Sequence, residues 1–154
     1  MLGRIFIILA LLVSGAGAAH ATATLSCSAD DKVLGFDAMA IVGHGRNYPV
    51  EQFRGELTLR LKDMPEDRRV LTLADEHLTH RWLHGRDLKL LIFQEQQPGA
   101  PIPWVELVIQ TRRKPGEDAG SAGTYRLTVP FPNPKDPSRT RDFTAQGRVA
   151  CSIG

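Results

Sequence analysis

The sequence predicts an all-β protein: a single antiparallel domain of seven or eight strands, closed or nearly closed into a barrel, with one short helix. Three observations predict it. Apolar and polar residues alternate with period two in run after run, the pattern of strands with one buried face. Glycine, asparagine and proline punctuate these runs, and no helical segments alternate with them as a parallel sheet would require. The chain has two cysteines, Cys27 and Cys151, and they lie in the first and last of the runs. A bridge between them would make the terminal strands neighbours, as closure of a sheet does. A two-sheet sandwich is the second architecture that fits.

Residues 1–21 read as an export leader. Arg4 supplies the positive start, Ile5 to Val13 the apolar stretch, and Ala19-His20-Ala21 the small-x-small cleavage pattern. The apolar stretch is shorter than the roughly 20 residues a membrane span needs. Residues 22–154 are then one domain, with no membrane span left after cleavage and a periplasmic or secreted location. Export places the chain where disulfides persist, so Cys27 and Cys151 are expected to pair. Two cysteines so far apart form neither a CxxC motif nor a metal-ligand cluster.

Charge excludes more than it suggests. The chain carries 19 basic and 17 acidic residues, and removing the leader takes away only Arg4. The basic residues gather locally, as Arg68-Arg69, Arg112-Arg113-Lys114, and Arg139, Arg141 and Arg148. No aromatic residues interleave with them as single-strand nucleic-acid binders require, so no nucleic-acid partner is expected.

Along the chain, Thr24 to Cys27 opens the first strand. Val33 to Val42 follows, with Leu34, Phe36, Ala38, Ala40 and Val42 on one face. Phe53 to Lys62 alternates Leu57, Leu59 and Leu61 with polar residues and ends at Pro65. Val70 to Ala74 is a short strand. Asp75 to Leu83 is the expected helix: Asp75 can cap it, Gly85 can stop it, and Leu78 and Trp82 share a face four residues apart. Further strands run from Leu88 to Glu95, from Trp104 to Arg112, and through Tyr125, Leu127 and Val129. Gln96 to Pro103, Lys114 to Ala122 and the proline-rich Phe131 to Thr140 read as connections. Phe143 to Ile153 is the last strand. Leu57, Leu59, Leu61, Leu90, Ile92, Leu107, Ile109, Leu127 and Val149 are the expected core.

The one constellation with specific chemistry is His77, His80 and His84. On a helix, spacing i, i+3, i+7 gathers them within about 60° of one another, and imidazoles suit zinc or copper. The same residues also suit the solvated side of a docked helix, and that reading is preferred. Trp104 lies in the polar phase of its strand, where an aromatic can anchor a partner. The chain holds no GxSxG elbow and no HExxH, and its cysteines are expected in a bridge, so catalysis and cofactors are not expected. In architecture alone the chain resembles periplasmic lysozyme inhibitors and lipocalin-type carriers. It has neither the inhibitory-loop motif of the first nor the GxW-type start of the second, so no residue role transfers. The expectation is a non-enzymatic exported binding domain for an envelope or secreted protein. A barrel-type carrier of a small hydrophobic ligand, or a divalent-metal binder using the three histidines, are the alternatives.

Overall fold

The computed structural model describes residues 23–43, 48–62, 64, 66, 69–98, 100, 102–116, 120–133 and 136–154. The expected leader lies outside them. Nine strands are formed: β1 (Ala23–Asp30), β2 (Leu34–Val42), β3 (Val50–Leu59), β4 (Val70–Leu73), β5 (Leu78–His84), β6 (Asp87–Glu95), β7 (Trp104–Arg113), β8 (Gly120–Asn133) and β9 (Asp136–Ile153). They make one sheet in the order β4-β3-β2-β1-β9-β8-β7-β6-β5, with every pairing antiparallel. The fold is all-β, with one sheet rather than a sandwich of two. No ladder joins β4 to β5, so the sheet does not close into the expected barrel.

The period-two pattern explains the core. Every residue of the expected core is buried, and one apolar cluster draws side chains from all nine strands. A single cluster fed by both ends of the strand order requires the sheet to bend around it. Leu59 and Leu71, from β3 and β4, indeed meet Val105 of β7 and Ile102 around a void of only about 10 Å³. Leu34, Leu57, Leu59, Leu90, Ile92, Leu107, Ile109, Leu127 and Tyr125 are among the fully buried side chains that fill the interior. Each large aliphatic side chain so buried contributes about 1.5–3 kcal/mol.

The terminal strands meet at the centre of the sheet. Leu25, Ser26, Cys27 and Ser28 lie opposite Ile153, Ser152, Cys151 and Ala150. Cys27 and Cys151 form the disulfide with a Cα separation of 4.1 Å, the close approach of directly opposed residues.

Two expectations are corrected. Phe131 to Thr140 is not simply a loop: the β8–β9 ladder runs on through Phe131↔Arg141 and Pro132↔Thr140. Proline is tolerated at Pro130 because β8 has left β7 at Thr128 and is there paired with β9 alone. The helix expected at Asp75 to Leu83 is also absent. Only Asp75–His77 turns, as a 3-10 turn, and Leu78–His84 is strand β5. Gly85, read as a helix stop, has φ +59° and opens the two-residue turn between β5 and β6. A glycine at the first central position is a hairpin signal, and it outweighs the helical spacing of Leu78 and Trp82.

The strand order then has a consequence for β4 and β5. Eight antiparallel pairings lead from β4 through β3, β2, β1, β9, β8, β7 and β6 to β5. An even number of reversals restores the starting direction, so β4 and β5 run the same way. Being consecutive, they form one extended course bent at the 3-10 turn. Its first part pairs with β3 and its second with β6, as bent strands do where a sheet turns a corner.

Side chains pin the bend. The Asp75 carboxylate accepts a hydrogen bond from the Phe53 backbone N–H at 3.0 Å and faces Arg81 at 3.6 Å. His77 Nδ1 accepts from the Ala74 N–H at 2.9 Å. Opposite it, β3 carries a bulge, where Gln52 takes φ +54° and the register to β2 shifts.

Candidate functional site

The bend decides the fate of the three histidines. His77 is half-buried and spends Nδ1 on the turn. His80 and His84 are exposed on β5. Four residues along a strand separate them by about 13 Å, whereas one ion needs both nitrogens within about 2.1 Å. The structure therefore does not bring the three together. Among the described residues, no group of three or more His, Cys, Asp or Glu side chains could hold a metal ion.

β5 instead positions Trp82. Leu83 packs against the core, so its neighbours Trp82 and His84 point outward. Trp82 is 47% exposed. Its ring lies 5.7 Å from that of His84, and Lys89, directly opposite on β6, sits 5.6 Å from its centroid. That distance is within the range of a cation–π contact. The helix reading had docked Trp82 on the sheet beside Leu78. In the strand, Leu78 is buried and Trp82 faces solvent.

Trp104 completes this face. It opens β7 opposite Glu95, half-buried, with its ring 5.8 Å from Phe93. The neighbouring outward ring of Phe93 shields part of it. Between the two tryptophans, Leu91 and Val108 are directly opposed and also half-buried. Both tryptophans of the chain thus lie on the outer face of β5–β7, while leucines and isoleucines fill the interior. Period-two phase identified Trp104 as outward. Trp82 was hidden because its phase depends on whether the segment is helix or strand.

A second surface feature escaped sequence reasoning. A groove of about 620 Å³ crosses the outer face of β3, β2, β1, β9 and β8. Ser28, Gly35, Ala122 and Ala150 make its floor, and Asp37, Glu56 and Arg148 stand beside it. Asp37 and Glu56 are directly opposed, and neither makes an ion pair among the described residues. Like charges so placed repel, and Arg148 is the cation that lines the same groove.

The perturbed titratable groups lie elsewhere. Asp31, between β1 and β2, accepts hydrogen bonds from the N–H groups of Val33 and Leu34 at 2.8 and 3.1 Å. Its other oxygen accepts from the Tyr125 hydroxyl at 2.5 Å. Burial opposes the Asp31 charge, but Tyr125, the two N–H groups and Arg60 together hold its pKa below the usual value. Burial, then the hydrogen bond and charge of Asp31, push the Tyr125 phenol well above its usual value. Gly147 lies directly opposite Tyr125, and a Cβ there would collide with the ring and with Asp31. Asp31 becomes more acidic and Tyr125 less so, and both move away from neutrality. General acid–base work wants the opposite, so the geometry fits a structural clasp.

No family model, no curated protein and no solved structure matches the chain.

Proposed function

We propose that the chain is an exported binding protein of the periplasm or extracellular space, whose contact face is the outer face of β5–β7. The observation that carries this reading is the placement of Trp82 and Trp104. Tryptophan is the residue that most often dominates binding energy at protein interfaces. Their cross-strand contacts with Phe93, His84 and Lys89 cover only part of each ring, and the rest of two large apolar surfaces faces solvent on one side of the sheet. The paired Cys27 and Cys151 fit an oxidising compartment. Among the described residues, no helix is long and apolar enough to cross a membrane. The filled interior favours a surface over an enclosed ligand cavity, and so favours this reading over the carrier. The curled sheet supports reading the domain as a barrel whose one unladdered joint is the β4–β5 bend.

The test compares the natively exported protein with its Trp82→Ser/Trp104→Ser variant as baits in envelope extract. The reading expects a partner that the wild type retains and the variant loses, with the variant still folded by circular dichroism at the temperature of the assay. Identical retention by the two baits would refute it.

A further inference from the structure

We propose that β5 is a strand-addition edge, which takes an extended acidic segment of a partner protein as the next strand of the sheet. This rests on the reading of β5–β7 as the contact face, and it names the mode and chemistry of the contact.

The backbone sets the mode. β4 and β5 are the two ends of the sheet. β4 is four residues long, but β5 runs for seven. The two-residue turn at Gly85 and Arg86 makes His84 and Asp87 the closing hydrogen-bonded pair of the hairpin. Antiparallel pairs alternate between bonded and non-bonded, so Trp82 and His80 also bond to β6. The N–H and C=O groups of Arg81 and Leu83 therefore face the open side. No other strand pairs with them among the described residues. Proteins commonly blunt such edges with proline, bulges or very short strands. β5 has no proline, and its one irregularity lies at its start, between Leu78 and His80. From His80 to His84 the edge is regular, and an extended backbone is what satisfies it.

The side chains set the chemistry. Between His80 and Lys89 the hairpin carries three cations, Arg81, Arg86 and Lys89, against one acid, Asp87, and Arg81 also faces Asp75 at 3.6 Å. Asp87 is itself engaged by Arg112 at 3.4 Å. A second copy adding its own β5 would bring the same cationic hairpin, with Arg81, Arg86 and Lys89, beside itself, and neighbouring like charges are destabilising. A strand with acidic side chains meets complementary charge instead. Its outward residues would also fall beside Trp82, which Lys89 and His84 hold in place.

The test uses ¹⁵N-labelled, natively exported protein and three synthetic eight-residue peptides. One alternates threonine and glutamate. The second replaces glutamate by lysine. The third is the glutamate peptide N-methylated at alternate residues, which removes half of its backbone donors. Amide hydrogen exchange is read at Arg81 and Leu83. The glutamate peptide should slow exchange at both by about tenfold or more at saturation, since exchange reports the opening of a hydrogen-bonded amide. The other two peptides should leave it unchanged. If the glutamate peptide shifts the Trp82 and Trp104 resonances while Arg81 and Leu83 exchange as before, the ligand lies on the face. The edge inference then fails and the contact-face reading stands. Equal protection by the lysine peptide overturns the acidic chemistry. Protection without peptide that grows with protein concentration, alongside a dimer mass, gives the edge to a second copy and overturns the proposal. Failure of the contact-face reading is reported separately, by the tryptophan variant.

Discussion

The chain joins its sheet in two places, and the two joints are built differently. At the centre, β1 and β9 share four register pairs and a disulfide. Thr24 and Gly154 also exchange backbone hydrogen bonds of 2.7 and 3.1 Å. At the β4–β5 bend there is no ladder. Asp75, His77 and Arg81 side chains hold the chain against β3 and within the turn. One joint is backbone and covalent; the other is a handful of side-chain contacts. The difference divides labour. The tied centre fixes the strand order, and the bend leaves an open edge beside an exposed tryptophan.

The sharpest break of the comparison is at the centre. A Cys27→Ala/Cys151→Ala variant should lose about 4–5 kcal/mol, because the bridge spans 124 positions and long loops gain most from closure. Urea unfolding of the exported protein measures it. A loss below about 1 kcal/mol would mean that the β1–β9 ladder alone holds the termini together. Next comes packing. Leu59, at 0% exposure, should cost about 2–5 kcal/mol as alanine. Leu83→Ala, half-buried on β5 beside the Gly85 turn, should cost less than half as much. Equal losses would show that the edge strand is as tightly packed as the interior.

Sequence reading succeeded where the backbone pattern alone decides. Leu57, Leu59 and Leu61 share a phase, and nothing but a strand places them on one face. Cys27 and Cys151 both fall in inward phases of terminal runs, so their pairing followed from alternation and compartment. It failed where side chains override the local pattern. Leu78 and Trp82 have helical spacing, but Asp75 and His77 are used to turn an extended chain between two partners. The Asp75 contact reaches Phe53, more than 20 positions away. The histidine site dissolved with the helix. Trp82 emerged from the same error, since only the strand phase turns it outward. Tyr125 and Asp31 were also out of reach, because 94 positions separate them and only Gly147 leaves room for the ring.

That clasp gives the third prediction. Tyr125→Phe removes the hydroxyl that Asp31 accepts and should cost about 1.5–3 kcal/mol at pH 7, as for a hydrogen bond to a charged group. The native pKa of Asp31 lies below the ordinary aspartate value of 3.8. Its charge therefore contributes stability above that value, and the contribution is lost as the pH falls through the lower native one. The raised Tyr125 value acts in the other sense: its contribution is present below pH 10 and fades as the pH rises above it. The variant should show a shallower acid limb than the wild type when unfolding midpoints are followed from pH 6 to pH 2. Parallel limbs would separate Asp31 from the effect.

The smallest expected effect bears most directly on the bend. Asp75 is exposed, so its ion pair with Arg81 contributes between zero and about 1 kcal/mol. Its hydrogen bond from the Phe53 N–H contributes about 1 kcal/mol more, because a charged acceptor helps and partial solvation subtracts. Asp75→Ala removes both contacts and should cost about 1–2 kcal/mol. Asp75→Asn retains an oxygen that can accept from Phe53 and should recover the larger share. The loss should be local. Exchange should quicken at Phe53, and with it along β5, while the amides of Cys27 and Cys151 at the tied centre keep their protection. Opening confined to one end of a sheet is possible only where that end is not covalently tied. If Asp75→Ala instead accelerates exchange equally at Phe53 and Cys151, the bend and the centre open together, and the division of labour between the two joints is wrong.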